Sequence, residues 1–217
     1  MVFPVGTDET EHHTTPIITY FLILVNVGVF LVEQSQGEAF VRHWAFTPRE
    51  FFANPIGHLP TVLTSMFLHG GWLHLIGNMA SLWTFGDNVE DNFGHLRFFV
   101  FYIIAGIFAM FAQAAYIPNS TLPNLGASGA IAGVLGAYIV MFPRGTVKLL
   151  TNQGIVRLPA LIAIGGWIAL QFVSAGGELA KTHPESVGGV AYMAHIGGFF
   201  AGIILSFVFR SRQTTTT

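Results

Sequence analysis

The chain has 217 residues, 52% hydrophobic and 9% charged, with a mean hydropathy of +0.60 and a formal net charge of -2. Soluble domains carry about 25% charged residues, so the polar material here is too sparse to cover a water-facing surface, and the chain belongs in a bilayer. It has no cysteine, which excludes disulfides, thiolate catalysis and cysteine metal sites, and no basic run offers a footing for nucleic acid.

In chain order, residues 1–15 carry Asp8, Glu9 and Glu11 and no Lys or Arg. A cleavable leader opens on basic residues, so this stretch reads as a short cytoplasmic tail. A spanning helix needs about 20 mostly apolar residues. Six segments qualify, at 16–35, 62–86, 97–117, 126–143, 158–175 and 189–209. The first ends in Glu33 and Gln34 rather than a small-residue cleavage site, so it reads as a permanent span. Residues 36–61 include Trp44, Phe46, Phe51 and Phe52 and read as a loop lying in the membrane interface. The third span runs from Phe98 to Ile117 without a charge, and Pro123 and Pro159 stand near the starts of the fourth and fifth. No segment alternates with the two-residue period of a membrane strand. The expectation is an all-α membrane protein with one six-helix domain over 16–210 and a disordered tail over 211–217.

Lys and Arg set the orientation. With the N-terminus in the cytoplasm, Arg97, Arg144, Lys148, Arg157, Arg210 and Arg212 lie inside, against Arg42, Arg49 and Lys181 outside. Both termini are then cytoplasmic.

Three segments put polar residues where lipid-facing helices do not want them, which makes each a functional candidate. The second span opens with His69-Gly70-Gly71-Trp72-Leu73-His74 and continues to Asn78. His74 and Asn78 are four apart and share a face, offering N–H donors to an oxyanion. His69 points elsewhere and is given a loop-bonding role. Gly126-Ala127-Ser128-Gly129 opens the fourth span. A serine there sits beside unpaired backbone N–H groups and the positive end of the helix dipole. Taken alone, it reads better as a packing serine in a stripe of small residues. On the sixth span His195, Gly198 and Gly202 fall on one face. Ser128 and His195 then share a depth about two turns below the outer boundary, the minimum for a nucleophile with a base. A metal site from His69, His74 and His195 is the weaker reading, since no carboxylate accompanies them and HExxH is absent.

HxxxxHxxxN, GxSG and AHxxGxxxG, in that order, resemble the signature of rhomboid intramembrane proteases. Gly86-Asp87-Asn88-Val89-Glu90-Asp91-Asn92-Phe93-Gly94 resembles the family's link between second and third helices. The resemblance covers about 60–210 and implies the basic six-helix prokaryotic form in a cell membrane. It implies Ser128 as nucleophile and His195 as general base and acid, with no cofactor and no metal. His74, Asn78 and the Ser128 backbone N–H would form the oxyanion hole, and Gly126, Gly129, Gly198 and Gly202 would serve helix packing. Substrates would be single-span or other transmembrane proteins, cut near the outer boundary where the helix is weak. Glu178 and Glu185 are expected in a solvated loop before the sixth span. Many rhomboids carry Trp-Arg where this chain has Pro60 and Thr61, which leaves Glu90 without a partner by analogy. The nearest alternative is a rhomboid-like pseudoprotease that binds membrane proteins without cutting them. A transporter would want charged or broken helices near the midplane and an inverted repeat, and neither is seen.

Overall fold

The computed structural model describes residues 3–8, 14–179 and 190–210. After strand β1 (Phe3–Thr7) come α1 (Ile17–Gln36), the short helices α2 (Glu38–Trp44), α3 (Pro48–Ala53), α4 (Pro55–His58) and α5 (Thr61–Thr64), and a 3-10 turn at Ser65–Phe67. Two long helices follow, α6 (Trp72–Phe93) and α7 (His95–Tyr116), and then α8 (Ser128–Met141). The hairpin β2 (Thr146–Thr151) and β3 (Gly154–Pro159) leads into α9 (Ala160–Leu179), and α10 (Tyr192–Phe209) closes the fold.

Among the described residues, four helices, α1, α7, α10 and the Ala160–Gly177 part of α9, are long and apolar enough to cross a membrane. Their outward faces are apolar: Leu24, Val173, Ile204 and Val208 are each more than 60% exposed. Large exposed patches of this kind suit lipid rather than water, and the chain is an integral membrane protein. α8 has 14 residues, about 21 Å of helix, shorter than a bilayer core of about 30 Å. It is nonetheless apolar, and Gly129 to Tyr138 are all buried. Its neighbours are protein, so it has no lipid thickness to match.

The seam between α8 and α10 explains the small residues on both helices. A Cβ placed on Gly198 would run into the carbonyl of Gly129, and one on Gly202 into the carbonyl of Gly133. Ala109 of α7 closes on Gly129, and Ala105 on Gly133. Close backbone approach of this kind supplies the dispersion contact that drives association where lipid removes the hydrophobic term.

Three expectations are corrected. The apolar run predicts a second span over 62–86, but Gly70 and Gly71 interrupt it, Gly71 at φ 154, and the continuous helix is Trp72–Phe93. Its polar second half stays helical until Gly94, at φ 81, ends it. The chain is not all-α, because β1, β2 and β3 form an antiparallel sheet in that order. Within the supposed tail, residues 3–7 pair with β2, Phe3 opposite Leu150 and Thr7 opposite Val147. Lys148 reaches back to the Thr7 carbonyl and to Asp8 at 2.9 Å, and holds the Asp8 carboxyl below its ordinary value. Third, Glu178 belongs to the last turn of α9 rather than a loop. Glu185, Lys181, Arg212 and the tail 211–217 lie outside the described residues.

Candidate active site

Ser128 is the first residue of α8, so its N–H is among those with no acceptor inside the helix. The residue before the turn, Gly126, has φ 122, which L side chains rarely adopt. A Cβ there would fall within 3 Å of the His74 imidazole. Gly126 therefore admits a histidine against the Ser128 turn, and it lies ahead of the helix rather than in the α8–α10 seam. Its own N–H donates to the Ser65 carbonyl at 2.9 Å, fixing the loop to the start of the 3-10 turn.

His195 stands in the first turn of α10. Gln113 of α7 holds that turn, its side-chain oxygen accepting from the Met193 and Ala194 N–H groups at 3.0 and 3.2 Å. His195 is 8% exposed, and its imidazole lies against the Trp167 ring, with centroids 5.5 Å apart. His195 Nε2 is 2.8 Å from Ser128 Oγ, and Nδ1 is 2.8 Å from Gln171 Oε1.

His74 and Asn78 project from the first turns of α6 into the same space. Gly70 N–H donates to His74 Nδ1 at 3.3 Å, which leaves Nε2–H directed at Gly126. Asn78 is 7% exposed, and its Nδ2 is buried without a hydrogen-bond partner among the described residues. Unpaired buried donors are uncommon, and Asn78 is among the residues that line the cavity holding Ser128. His69 does not line this cavity, although its ring packs edge-on against that of His74 with centroids 5.1 Å apart; its N–H donates to both Glu33 carboxyl oxygens at 3.1 and 3.2 Å, tying the loop ahead of α6 to α1.

Ser128, His195, His74 and Asn78 all line one cavity of about 790 Å³, whose further walls include Phe3, Leu149 and Trp167. The structure therefore brings together all four predicted polar residues, which the chain separates by up to 121 positions (195 minus 74). Gly129, Gly198 and Gly202 lie in the helix seam behind them. Sequence reasoning missed Gln171 and Gln113. The available signal was the presence of two amides inside otherwise apolar helices, where an unpartnered amide is costly.

Glu90 also finds its partners. It is fully buried, and its carboxyl oxygens accept from the Ile18 and Thr19 N–H groups at 2.9 and 2.7 Å and from the Thr19 hydroxyl at 2.7 Å. His95 Nδ1 lies 2.6 Å from the same group. The acid at the far end of α6 thus caps the N-terminus of α1, and no arginine is needed.

Residues 57–212 match the family model described as the Rhomboid domain. The chain is 28% identical over 192 residues to Rhomboid protein 1, mitochondrial, of Saccharomyces cerevisiae, covering 86% of this chain and 51% of that protein. It is 33% identical over 149 residues to RHOMBOID-like protein 5 of Arabidopsis thaliana, covering 68% and 43%. It is 31% identical over 197 residues to Rhomboid protease GluP of Bacillus subtilis, covering 88% and 35%. The chain spans between about a third and a half of the length of these relatives. A domain match over most of the chain, with serine, histidines and asparagine gathered in one membrane cavity, makes this chain a member of the rhomboid family.

Proposed function

We propose that the protein is an intramembrane serine endopeptidase with six spanning helices, α1, α6, α7, α8, α9 and α10. The observation that carries this reading is the 2.8 Å contact between Ser128 Oγ and His195 Nε2 in a cavity that also holds an unpaired Asn78 donor. In the reaction, Ser128 Oγ attacks the scissile carbonyl carbon while His195 Nε2 takes its proton. Charge collects on the carbonyl oxygen, to which the Ser128 N–H, Asn78 Nδ2 and His74 Nε2–H would donate. The C–N bond breaks as His195 returns the proton to the amine, and water then releases the acyl group from Ser128 by the same steps. The relative named Rhomboid protease GluP supports this assignment.

Hydrolysis needs water, and lipid excludes it. Polar groups at membrane depth are tolerable only inside protein or against a cavity, and 790 Å³ gives room for water and an unwound strand. A substrate helix keeps its amides internally bonded, so the bond to be cut must first leave the helix. The substrates are therefore transmembrane segments weakened by Gly or Pro near the outer boundary, with both termini of the enzyme in the cytoplasm. Liposomes containing the protein and a single-span reporter of that kind test the reading: wild type is expected to cut it, and Ser128→Ala to leave it intact. Equal cleavage by both proteins would remove Ser128 from the reaction.

A further inference from the structure

A base that accepts the serine proton must keep Nε2 unprotonated and aimed at Oγ. Neutral histidine can carry its proton on either nitrogen, and the Ser128 contact alone does not select one. The selection is made on α9. Gln171 Nε2 lies 3.3 Å from the Trp167 carbonyl. A carbonyl only accepts, so that end of the amide is its NH2, and Oε1 is the end that faces His195. Oε1 also only accepts, so the Nδ1 2.8 Å away carries the imidazole proton. Nε2 is then the acceptor for the Ser128 hydroxyl at 2.8 Å. Four groups form one chain in which each donor is fixed by the acceptor beyond it, from Ser128 through His195 and Gln171 to the Trp167 backbone.

The setting of Gln171 supports the assignment. It is 8% exposed, whereas its neighbours Leu170, Phe172 and Val173 are at least 50% exposed. Gln171 therefore turns inward, on the face of α9 that also buries Ile164 and Ala175. Trp167, one turn earlier, lays its ring against the imidazole, so α9 sets both the plane of His195 and its protonated edge. A carboxylate would do the same at the cost of burying a charge, whereas an amide orients without one. When the proton reaches Nε2 the ring becomes a cation, and the Nδ1–H bond to Gln171 becomes charge-assisted and stronger. An interaction that tightens as the reaction proceeds accelerates it.

We propose that Gln171 is the positioning residue of this site, holding His195 in the Nδ1–H form and supporting the imidazolium as it forms. The proposal rests on reading Ser128 and His195 as the cleaving pair. In the liposome assay, Gln171→Met keeps the shape and removes the acceptor, and should lower kcat about 10- to 100-fold, the effect of losing one hydrogen bond to a charged group. KM should stay within about twofold, because the interaction matters after binding. Gln171→Glu restores an acceptor and should recover most of the rate. A packing role inverts this order, since Met suits an apolar site and Glu does not. In detergent, 15N spectra of labelled histidine should show one Nδ1–H form for wild-type His195 and a mixture for Gln171→Met. Wild-type kcat in Gln171→Met, a Gln171→Glu no faster than Gln171→Met, or unchanged spectra would each overturn the assignment. Wild-type cleavage that did not need Ser128 would instead overturn the catalytic reading beneath it.

Discussion

His195→Ala is expected to lower reporter cleavage by about 10⁴-fold or more, and the Ser128→Ala/His195→Ala protein to be no slower than either single variant. Both residues act in one step: without the base Oγ remains a hydroxyl, and without Oγ the base has nothing to deprotonate. Their effects should therefore fail to multiply. The loss should fall on kcat, because neither group binds the substrate before attack. His195 touches Ser128, Gln171 and Trp167, so the unfolding midpoint in detergent should be measured beside the rate to separate chemistry from stability. A His195→Ala protein within about tenfold of wild type would deny His195 the role of base.

The second large effect is structural. Glu90→Ala is expected to cost about 3–5 kcal/mol, because it strands three donors of α1 that now share one buried carboxyl group. Those donors belong to Ile18 and Thr19, at the positive end of the α1 dipole, where an acidic group is favoured. Glu90→Gln keeps the shape but sets an NH2 against an N–H, and should cost less, about 1–3 kcal/mol. SDS or thermal unfolding in micelles would rank wild type above Gln and Gln above Ala. Because the acid lies at the end of α6 away from His74, the variants that still fold should keep the Ser128 chemistry. Equal stability of all three would mean that the α1 cap contributes nothing.

The spans and the polar residues of the cavity were legible for a common reason: both depend on local sequence. Apolar runs of helical length name themselves, and Ser128, His74, Asn78 and His195 stand out as polar groups among lipid-compatible neighbours. The helix ends were less legible at α6, where polar Asp87 to Asn92 argued for a loop, although the helix is buried and capped there and continues to Phe93. Pairings across the chain were not legible at all. β1 meets β2 140 or more positions later, and its Pro4 and Gly6 suppress the strand signal. Glu90 answers backbone N–H groups of Ile18 and Thr19, which any residue but proline supplies, so no motif marks the partner. Gln171 is a single amide on α9, and only the crossing of α9 with α10 gives it His195.

The most direct measurement needs no substrate. The protein in micelles would be treated with a fluorophosphonate probe, which bonds to serine hydroxyls activated by a base, and the labelled peptide mapped by mass spectrometry. Label on Ser128, absent from Ser128→Ala and greatly reduced in His195→Ala, is the expected result. Label on another serine, or equal label on Ser128 with and without His195, would contradict the Ser128–His195 pair as the centre of this protein's chemistry.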